Sequence, residues 1–189
     1  EGGNMPDAMY GFSSWTVEFK EAGYIAPVQD YISDTLFNDF SEAAREVCSV
    51  DGTLWTLPSY MSVRSVLINR AAFDEANLET PTTWEELLAD APALCEGTVC
   101  NYAYAMVAGH TKNTADCFLP ILWAYGAELL SEDQQTVAFN TPEGVAALQM
   151  YVDLAQYAVP DYGEADIDVT QTNYTTQNAA AYFHNGQGI

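Results

Sequence analysis

Basic residues are scarce in this sequence, and their scarcity narrows the range of partners. Five lysines and arginines stand against 27 aspartates and glutamates, which gives a formal net charge of −22 at pH 7. A surface with this charge repels phosphate backbones and anionic lipid headgroups, so nucleic acid and anionic membranes are disfavoured as partners. A solvated acidic surface on an exported protein and attraction of a cationic ligand are both compatible with this composition. The charge is therefore weak evidence about the ligand.

Long apolar runs are also missing. No run approaches the roughly 20 residues that a membrane-spanning helix needs, so we expect no direct membrane insertion by this segment. The sequence opens at Glu1 with neither an initiator methionine nor a charged-then-apolar leader, so no targeting signal is visible in it. Apolar residues nevertheless make up 49% of the chain. This share indicates a folded protein that buries one substantial core or two small ones.

Recognisable catalytic motifs are absent from the sequence. It holds no G-x-S-x-G turn, no H-E-x-x-H pair, no phosphate-binding glycine loop and no dinucleotide fingerprint. The two histidines, His110 and His184, are too few for a histidine-based metal cluster. A lone histidine at a strand end is more often structural than catalytic, and we keep His110 as a minor candidate for ligand contact. We therefore predict no enzyme activity, no catalytic residue, no metal and no cofactor.

The chain has four cysteines, and two of them are close in sequence. The spacing of Cys95 and Cys100 suits a small disulfide that closes a turn after a helix. A zinc site is the alternative, but it usually needs two close pairs or a nearby histidine, and here there is one close pair. We predict a Cys95–Cys100 bridge and hence an oxidising compartment. Cys48 and Cys117 have no evident partner, and four cysteines allow three pairings.

The apolar pattern alternates between strand-like and helix-like segments along the chain. Strands are predicted at residues 8–10, 54–57, 66–68, 102–107 and 179–183. Helices are predicted at residues 18–22, 36–47, 71–76 and 118–130, and after Thr83 and Thr141. The acidic segment 161–168 is predicted to be a loop. This alternation indicates an α/β architecture with mostly parallel strand pairing.

Several helix ends carry specific local signals. Thr83 and Glu86 form a T-x-x-E capping box at a helix start. Thr141 is a plausible N-cap with Pro142 at the first helical position, and Asn77 is a plausible left-handed stop. The residues that follow the capping box at helical spacing, and that we expect to face the core, are Trp84, Leu87, Leu88 and Ala91. One apolar stripe on the helix after Thr141 consists of Val145, Leu148, Val152 and Ala155.

A series of short motifs, in one order along nearly the whole chain, carries a family resemblance. The motifs are Asp51-Gly52, Leu57-Pro58, Leu67-Ile68-Asn69-Arg70, Pro81-Thr82-Thr83-Trp84-Glu85-Glu86-Leu87, Ala138-Phe139-Asn140-Thr141-Pro142-Glu143, Ala179-Ala180-Ala181 and Asn185-Gly186. With these motifs the chain resembles the extracellular solute-binding proteins of carbohydrate-binding family 1. Those proteins are the receptor components of ABC importers.

The resemblance implies a two-lobed, type II periplasmic-binding-protein-like α/β fold that this chain covers only in part. Residues 1–60 then belong to lobe I, residues 61–64 to a hinge crossing, and residues 65–189 to most of lobe II. The resemblance also implies an extracellular or periplasmic location, with lipid anchoring through an N-terminus outside this sequence as one form of it. The implied partners are a small-molecule solute, which is a carbohydrate in this family, and the membrane permease subunits.

The resemblance further places a set of ligand-binding residues in a cleft between the lobes. They are Ser13, Ser14, Trp15, Tyr60, Ser62, Arg64, Asp116, Asn185 and Gln187. Rings that stack on sugar faces and planar polar groups that bind hydroxyls suit such a pocket. Two of these residues also have simpler interpretations, because Trp15 could cover its own helix and Arg64 could pair with a carboxylate.

Other functions remain open at this point. The acidic composition is compatible with a receptor of the same fold for a cationic or peptide-like solute, such as a polyamine. A surface or scaffold protein that reuses the fold is a further alternative. Carboxylates converging on one point would favour the cationic solute, whereas rings and amides there would favour a sugar.

Overall fold

The computed structural model describes residues 6–60 and 63–184. The chain divides into two compact units, residues 1–62 and residues 63–189, which we call unit 1 and unit 2. The division falls inside the segment 61–64 that the sequence predicts to be a hinge crossing. The assignment of the units to lobes, and of this segment to a hinge, stays a prediction.

Unit 1 consists of short helices and one small hairpin. In chain order its elements are a 3-10 helix at Ser13–Trp15, α1 at Thr16–Glu21, a 3-10 helix at Gln29–Tyr31, α2 at Asp34–Asp39, α3 at Glu42–Cys48, β1 at Ser49–Val50 and β2 at Thr53–Leu54. The hairpin between β1 and β2 is antiparallel. Its two turn residues, Asp51 and Gly52, have φ angles of 52° and 76°. Positive φ at both positions is the geometry that matches the twist of a two-residue hairpin.

Two sequence predictions in unit 1 are wrong. Residues 8–10 form no strand, so the residues that follow them do not lie at a strand end. The helix predicted at 36–47 is broken into α2 and α3. The break lies at Ser41, whose hydroxyl accepts a hydrogen bond from the Ala44 amide at 3.2 Å and thereby begins a new helix.

Unit 2 contains the longer helices and a three-stranded sheet. In chain order its elements are β3 at Ser65–Ile68, α4 at Arg70–Glu75, α5 at Trp84–Glu96, β4 at Tyr102–Ala105, α6 at Lys112–Ala124, α7 at Pro142–Ala155, α8 at Ile167–Thr175 and β5 at Ala179–His184. The strand order in the sheet is β3-β5-β4. β3 runs antiparallel to β5, whereas β4 runs parallel to it. The prediction of mostly parallel pairing is therefore wrong for the described strands.

The central strand β5 is buried along its whole length and separates two apolar layers. On one face the core includes Phe73, Leu87 and Ile121. On the other face Tyr182 packs with Tyr174 of α8. Successive side chains of a strand point to opposite faces, so the small alanines at the start of β5 leave room for helices on both sides.

The helix starts in unit 2 confirm the local sequence signals. The Thr83 hydroxyl accepts from the Glu86 amide at 3.1 Å, and the Glu86 carboxylate accepts from the Thr83 amide at 3.3 Å, which completes the predicted capping box. Thr141 caps α7 with Pro142 in its first turn. Asn77 has a φ of 55°, as a left-handed helix stop requires. These predictions succeed because each depends on residues within a few positions of one another.

The predicted Cys95–Cys100 disulfide is not formed. All four cysteines are free thiols in the structure. The Cys95 thiol lies 4.0 Å from the carbonyl oxygen of Tyr157, whereas the Cys100 sulfur accepts a hydrogen bond from the Asn69 amide at 3.7 Å. The two sulfur atoms therefore have separate partners, and the turn between them is held in another way.

Within residues 6–60 and 63–184, no helix combines the length and the apolar character that spanning a bilayer takes.

Candidate functional site

One edge of the unit 2 sheet collects polar side chains from several distant segments. β4 and β5 are parallel and end at the same edge, and β3 begins there because Ser65 pairs with His184. We call this the carboxyl edge. In open α/β sheets, ligands gather where parallel strands end. The chain places Arg64 before β3, His110 and the start of α6 after β4, and His184 at the end of β5.

Asp116 binds two of the five basic residues of the chain at this edge. One oxygen of its carboxylate, Oδ2, lies 3.3 Å from Arg64 Nη2 and 3.2 Å from Lys112 Nζ. Arg64 and Asp116 were both predicted as site residues, and the structure brings them together from positions 52 residues apart. Their side chains are 28% and 26% exposed, so this ion pair is better shielded from solvent than a pair at an open surface.

His184 closes β5 and is only 8% exposed. Its ring stacks on Tyr182 with the ring centres 5.3 Å apart, and Tyr182 lies 4.5 Å from the ring of Tyr174. Burial lowers the pKa of His184, the nearby Arg64 charge lowers it further, and Asp168 opposes the shift. The imidazole is therefore neutral near pH 7, because even an unshifted histidine has a pKa of about 6.5.

Hydrogen bonds to Asp166 join the loop after β4 to the start of α8. The Asp166 carboxylate accepts from the Asn113 side-chain amide at 2.7 Å, from the Ile167 backbone amide at 2.7 Å and from the Thr111 hydroxyl at 3.3 Å. These bonds, with the Asn113 side chain contributing most, lower the pKa of Asp166. Thr111 is also the N-cap of α6. The hydrogen bonds to Asp166 therefore fix the position of the start of α6, which carries Lys112 and Asp116.

The predicted site residues of unit 1 lie on its surface. Ser13, Ser14 and Trp15 form a 3-10 helix that leads into α1, and all three are exposed. Trp15 contacts Phe12 and Phe19 with ring centres 5.1 Å and 5.7 Å apart, yet it keeps 39% of its surface exposed. The indole therefore both packs on its own helix and presents a face to solvent.

Tyr60 is 60% exposed, and its ring is nearly parallel to that of Tyr10, at an interplanar angle of 5° and a centre distance of 6.5 Å. A hydrogen bond with Tyr10 raises the pKa of Tyr60. Together with Trp15, this pair gives unit 1 exposed aromatic faces. The remaining predicted site residues, Ser62, Asn185 and Gln187, lie outside the described residues.

Sequence analysis did not single out His184 and Tyr182, whose rings stack at this edge. The available signal was a histidine that ends an otherwise apolar strand, directly before the Asn185-Gly186 motif. His110, the histidine kept as a minor candidate, is exposed after β4. Among the described residues, no group of three or more histidine, cysteine, aspartate or glutamate side chains is arranged to hold a metal ion.

A separate groove of about 470 Å³ lies on the other face of the unit 2 sheet. It is lined by Trp84, Tyr125 and Phe183, together with Val66, Pro81, Thr82, Thr83, Glu85, Leu87, Pro120 and Ala124. Phe183 alternates with Tyr182 and His184 along β5, so the groove and the stacked rings lie on opposite sides of the strand. The groove is largely apolar and lacks the converging polar groups of the carboxyl edge.

The fold and this edge define an α/β solute-binding architecture, and comparison with known proteins identifies the family. Residues 1–188 match the family described as bacterial extracellular solute-binding protein. The chain belongs to this family, whose members are extracellular or periplasmic.

Similar proteins and structures support the same assignment. A binding protein of Brucella abortus (strain 2308) is 28% identical over 159 residues, which are 81% of this chain and 38% of that protein. A maltotriose-binding protein of Pyrococcus abyssi (strain GE5 / Orsay) is 31% identical over 85 residues, 45% of this chain and 18% of that protein.

Among solved structures, an ABC transporter solute-binding protein of Thermotoga lettingae TMO bound with α-D-tagatose matches with a TM-score of 0.81 and 27% identity. The match covers 91% of this chain and 45% of that one. A cyclic α-maltosyl-1,6-maltose binding protein of Arthrobacter globiformis matches with a TM-score of 0.72 and 26% identity, over 91% and 44% of the two chains. The two-lobed periplasmic-binding-protein-like fold class is confirmed, and the chain spans less than half the length of these relatives.

Proposed function

We propose that this chain is part of the extracellular receptor of an ABC importer, which captures a sugar or oligosaccharide between two lobes and delivers it to a membrane permease. The observation that carries the proposal is the likeness to the tagatose-bound protein, at a TM-score of 0.81 over 91% of the chain. A ligand that contacts both lobes binds their closed arrangement more tightly and so shifts the population towards it.

The chemistry of the described surfaces supports a polar, uncharged solute. Unit 1 offers the exposed aromatic faces of Trp15 and Tyr60, and unit 2 offers planar polar groups at the carboxyl edge. Arg64 and Lys112 both pair with the Asp116 carboxylate at that edge, so this carboxylate is already occupied and is not free to bind a polyamine or another cationic solute. This pairing argues against a cationic solute, which is an alternative that the acidic composition alone leaves open.

The proposal requires no covalent chemistry from the protein, so we propose a receptor and not an enzyme. Attachment to the membrane through a lipid and docking on permease subunits belong to the same proposal. Mass spectrometry of the protein isolated from its natural source tests the lipid, since an acylated N-terminus adds a defined mass.

A binding experiment on the full-length protein tests the sugar proposal. Isothermal titration calorimetry with D-tagatose, maltotriose and laminaribiose should show saturable binding of at least one sugar, whereas spermidine should give none. Substituting Trp15→Ala should weaken sugar binding about tenfold, which is about 1.4 kcal/mol. Trp123→Ala is the matched control, because Trp123 is an exposed tryptophan on α6 of unit 2.

Two results would count against the proposal. One is the absence of binding by any sugar in a broad panel under conditions where the protein is folded. The other is saturable binding of spermidine, which would favour the cationic solute.

A further inference from the structure

Unsatisfied polar atoms are concentrated at the carboxyl edge. Among the described residues, four buried side-chain nitrogen or oxygen atoms have no hydrogen-bond partner, and three of them belong to Arg64, Tyr182 and His184. The atoms are Arg64 Nη1, the Tyr182 hydroxyl and His184 Nδ1. A buried polar group left without a partner has lost its hydrogen bonds to water and gained none in return. Three such groups in one place therefore carry a free-energy penalty that a bound polar group would relieve.

These three side chains are neighbours in the fold. Ser65 pairs with His184 in the sheet, which places Arg64, one residue earlier, beside the end of β5. Burial lowers the pKa of His184 most, and the nearby charge of Arg64 lowers it further. The Tyr182 ring stacks on His184 at 5.3 Å. The side chains that carry the three unpaired atoms are therefore neighbours, and we call these three side chains the unpaired cluster.

The hydrogen-bonding capacities of the cluster specify the chemistry of its partner. The guanidinium nitrogen of Arg64 donates, the Tyr182 hydroxyl donates or accepts, and a neutral imidazole offers either a donor or an acceptor at Nδ1 according to its tautomer. An anion suits the cluster less well, because Asp116 already neutralises part of the Arg64 charge at 3.3 Å. A hydroxyl group both donates and accepts, and it carries no charge to desolvate.

Access to the cluster is through Arg64. The three atoms are buried in the free protein, and His184 is more than nine-tenths buried. The Arg64 side chain is 28% exposed and is bound to Asp116 through its other terminal nitrogen. A long, partly exposed arginine is the member of the cluster that can move aside at least cost, and Lys112 stays next to Asp116 when it does.

We propose that Arg64, Tyr182 and His184 bind one hydroxyl group of the solute, which enters beside the Arg64 side chain. His184 is then a specificity-determining residue of unit 2, and its Nδ1 atom distinguishes solutes with a hydroxyl at this position from those without. This inference rests on the proposed sugar-binding function and assigns a role to a histidine that the sequence left as structural.

Matched tyrosine variants of the full-length protein test the inference. The Tyr174 hydroxyl donates to the carbonyl oxygen of Ile68 at 2.8 Å, whereas the Tyr182 hydroxyl has no partner among the described residues. Tyr182→Phe should weaken binding of the sugar that the wild-type protein binds by at least about threefold, and Tyr174→Phe should leave the affinity unchanged. In the sugar-free protein, Tyr174→Phe should have the lower melting temperature of the two variants, because only this substitution removes a hydrogen bond that the structure makes.

Histidine variants give a second, stronger readout. His184→Phe keeps a flat ring on Tyr182 and removes both nitrogens, so it should lower sugar affinity about tenfold or more without lowering the melting temperature of the free protein. His184→Asn returns an amide near the position of Nδ1 and should recover part of the affinity. Arg64→Met should weaken binding, whereas Arg70→Met, at the exposed Arg70–Asp74 pair, should not.

The outcomes separate this inference from the proposed function. If the wild-type protein binds a sugar and His184→Phe binds it equally well, the inference is overturned and the receptor function stands. If His184→Phe or Tyr182→Phe clearly lowers the melting temperature of the free protein, the atoms are paired in solution and the inference is also overturned. If no sugar binds to the wild-type protein, the proposed function fails, and a raised melting temperature of both variants would still support an unfilled polar site at this edge.

Discussion

At the scale of single residues, Glu75 shows how one carboxylate replaces the predicted disulfide as the support of a turn. Its side chain accepts hydrogen bonds from the Thr98 amide at 2.8 Å and the Val99 amide at 3.1 Å, and also from the Thr98 hydroxyl. These bonds, the hydroxyl first, lower the pKa of Glu75. The turn between α5 and β4, where a Cys95–Cys100 bridge was expected, is therefore held by an exposed side chain from α4.

The Glu75→Gln variant should lose pH-dependent stability. A carboxyl group whose pKa is lower in the folded state than in the unfolded state stabilises the protein above the unfolded value and loses that contribution as the pH falls through the folded value. The unfolded reference for Glu75 is 4.5. We expect a lower melting temperature than wild type at pH 7, and a difference that shrinks as the pH falls below 4.5.

Glu79→Gln is the control for this test, because Glu79 is an exposed glutamate in the segment that follows α4. Thermal unfolding followed by circular dichroism at several pH values measures the effect. A Glu75→Gln curve parallel to that of wild type over the whole pH range would contradict the assigned role.

The same scale shows which site residues the sequence could reveal. The capping pair Thr83 and Glu86 was predictable because its signal lies within four consecutive positions. The contact between Arg64 and Asp116 joins residues 52 positions apart, so the sequence predicted that Arg64 could pair with a carboxylate but did not show that Asp116 supplies it. The proposed role of His184 depends on Arg64, just before β3, and on Tyr182 of its own strand, and no local pattern predicts these two neighbours.

At the scale of elements, α7 illustrates the limits of apolar periodicity. Of the apolar stripe found in the sequence, Val145, Leu148 and Val152 are exposed, whereas Ala155 is half-buried against the core. The buried side of the helix consists of Gly144, Ala147, Met150, Tyr151 and Leu154. Both sides are apolar enough to resemble a core-facing stripe, so the spacing of apolar residues alone could not decide between them.

α8 was missed for a different reason. Its sequence from Ile167 to Thr175 is rich in threonine, asparagine and aspartate, which are poor helix formers. The helix forms because its start is capped by Asp166 and because Tyr174 packs against Tyr182 of β5. Tertiary contacts therefore outweigh the low helix propensity of these residues. Local sequence alone does not contain those contacts, so it did not predict α8.

Gly144 allows the start of α7 to lie close to the backbone of Phe139. A Cβ atom at this position would clash with the carbonyl oxygen of Phe139 and would lie 3.7 Å from a methyl group of Leu122. Alanine in a helix is normally better than glycine by about 1 kcal/mol, but here the contact is with rigid backbone. We expect Gly144→Ala to destabilise unit 2 by about 1–3 kcal/mol, as overpacking of a core typically does.

Urea unfolding measures this change, and Gly163→Ala is its control because a Cβ atom there would meet no atom within 4 Å. The control should differ from wild type by less than about 0.5 kcal/mol, as substitutions away from special features usually do. Equal or greater stability of Gly144→Ala would mean that the start of α7 is not packed as described.

At the scale of the whole molecule, the two units differ in how much apolar surface they bury. The buried apolar side chains among the described residues of unit 1 are Ala44, Cys48 and Leu54. Unit 2 buries many more, including large ones such as Phe73, Leu94 and Tyr104. Because apolar burial is the main favourable contribution to folding, unit 2 should account for most of the stability of this chain.

The tryptophans are distributed so that each unit can be followed separately. Trp15 and Trp55 lie in unit 1, and Trp84 and Trp123 lie in unit 2. A Trp84→Phe/Trp123→Phe variant therefore reports unit 1 by fluorescence, and a Trp15→Phe/Trp55→Phe variant reports unit 2. Circular dichroism of the same samples controls for any change of stability caused by the substitutions themselves.

We expect residues 1–189 to unfold in urea in two steps, with the tryptophans of unit 1 changing at a lower denaturant concentration than those of unit 2. The physical reason is the small core of unit 1: a unit that buries little apolar surface gains little free energy to offset the conformational entropy lost on folding. The two double variants should give separated midpoints, and the circular dichroism curve of each should span both. Coincident midpoints in the two variants would show that the units unfold as one cooperative structure, and would contradict the idea that unit 2 holds most of the stability by itself.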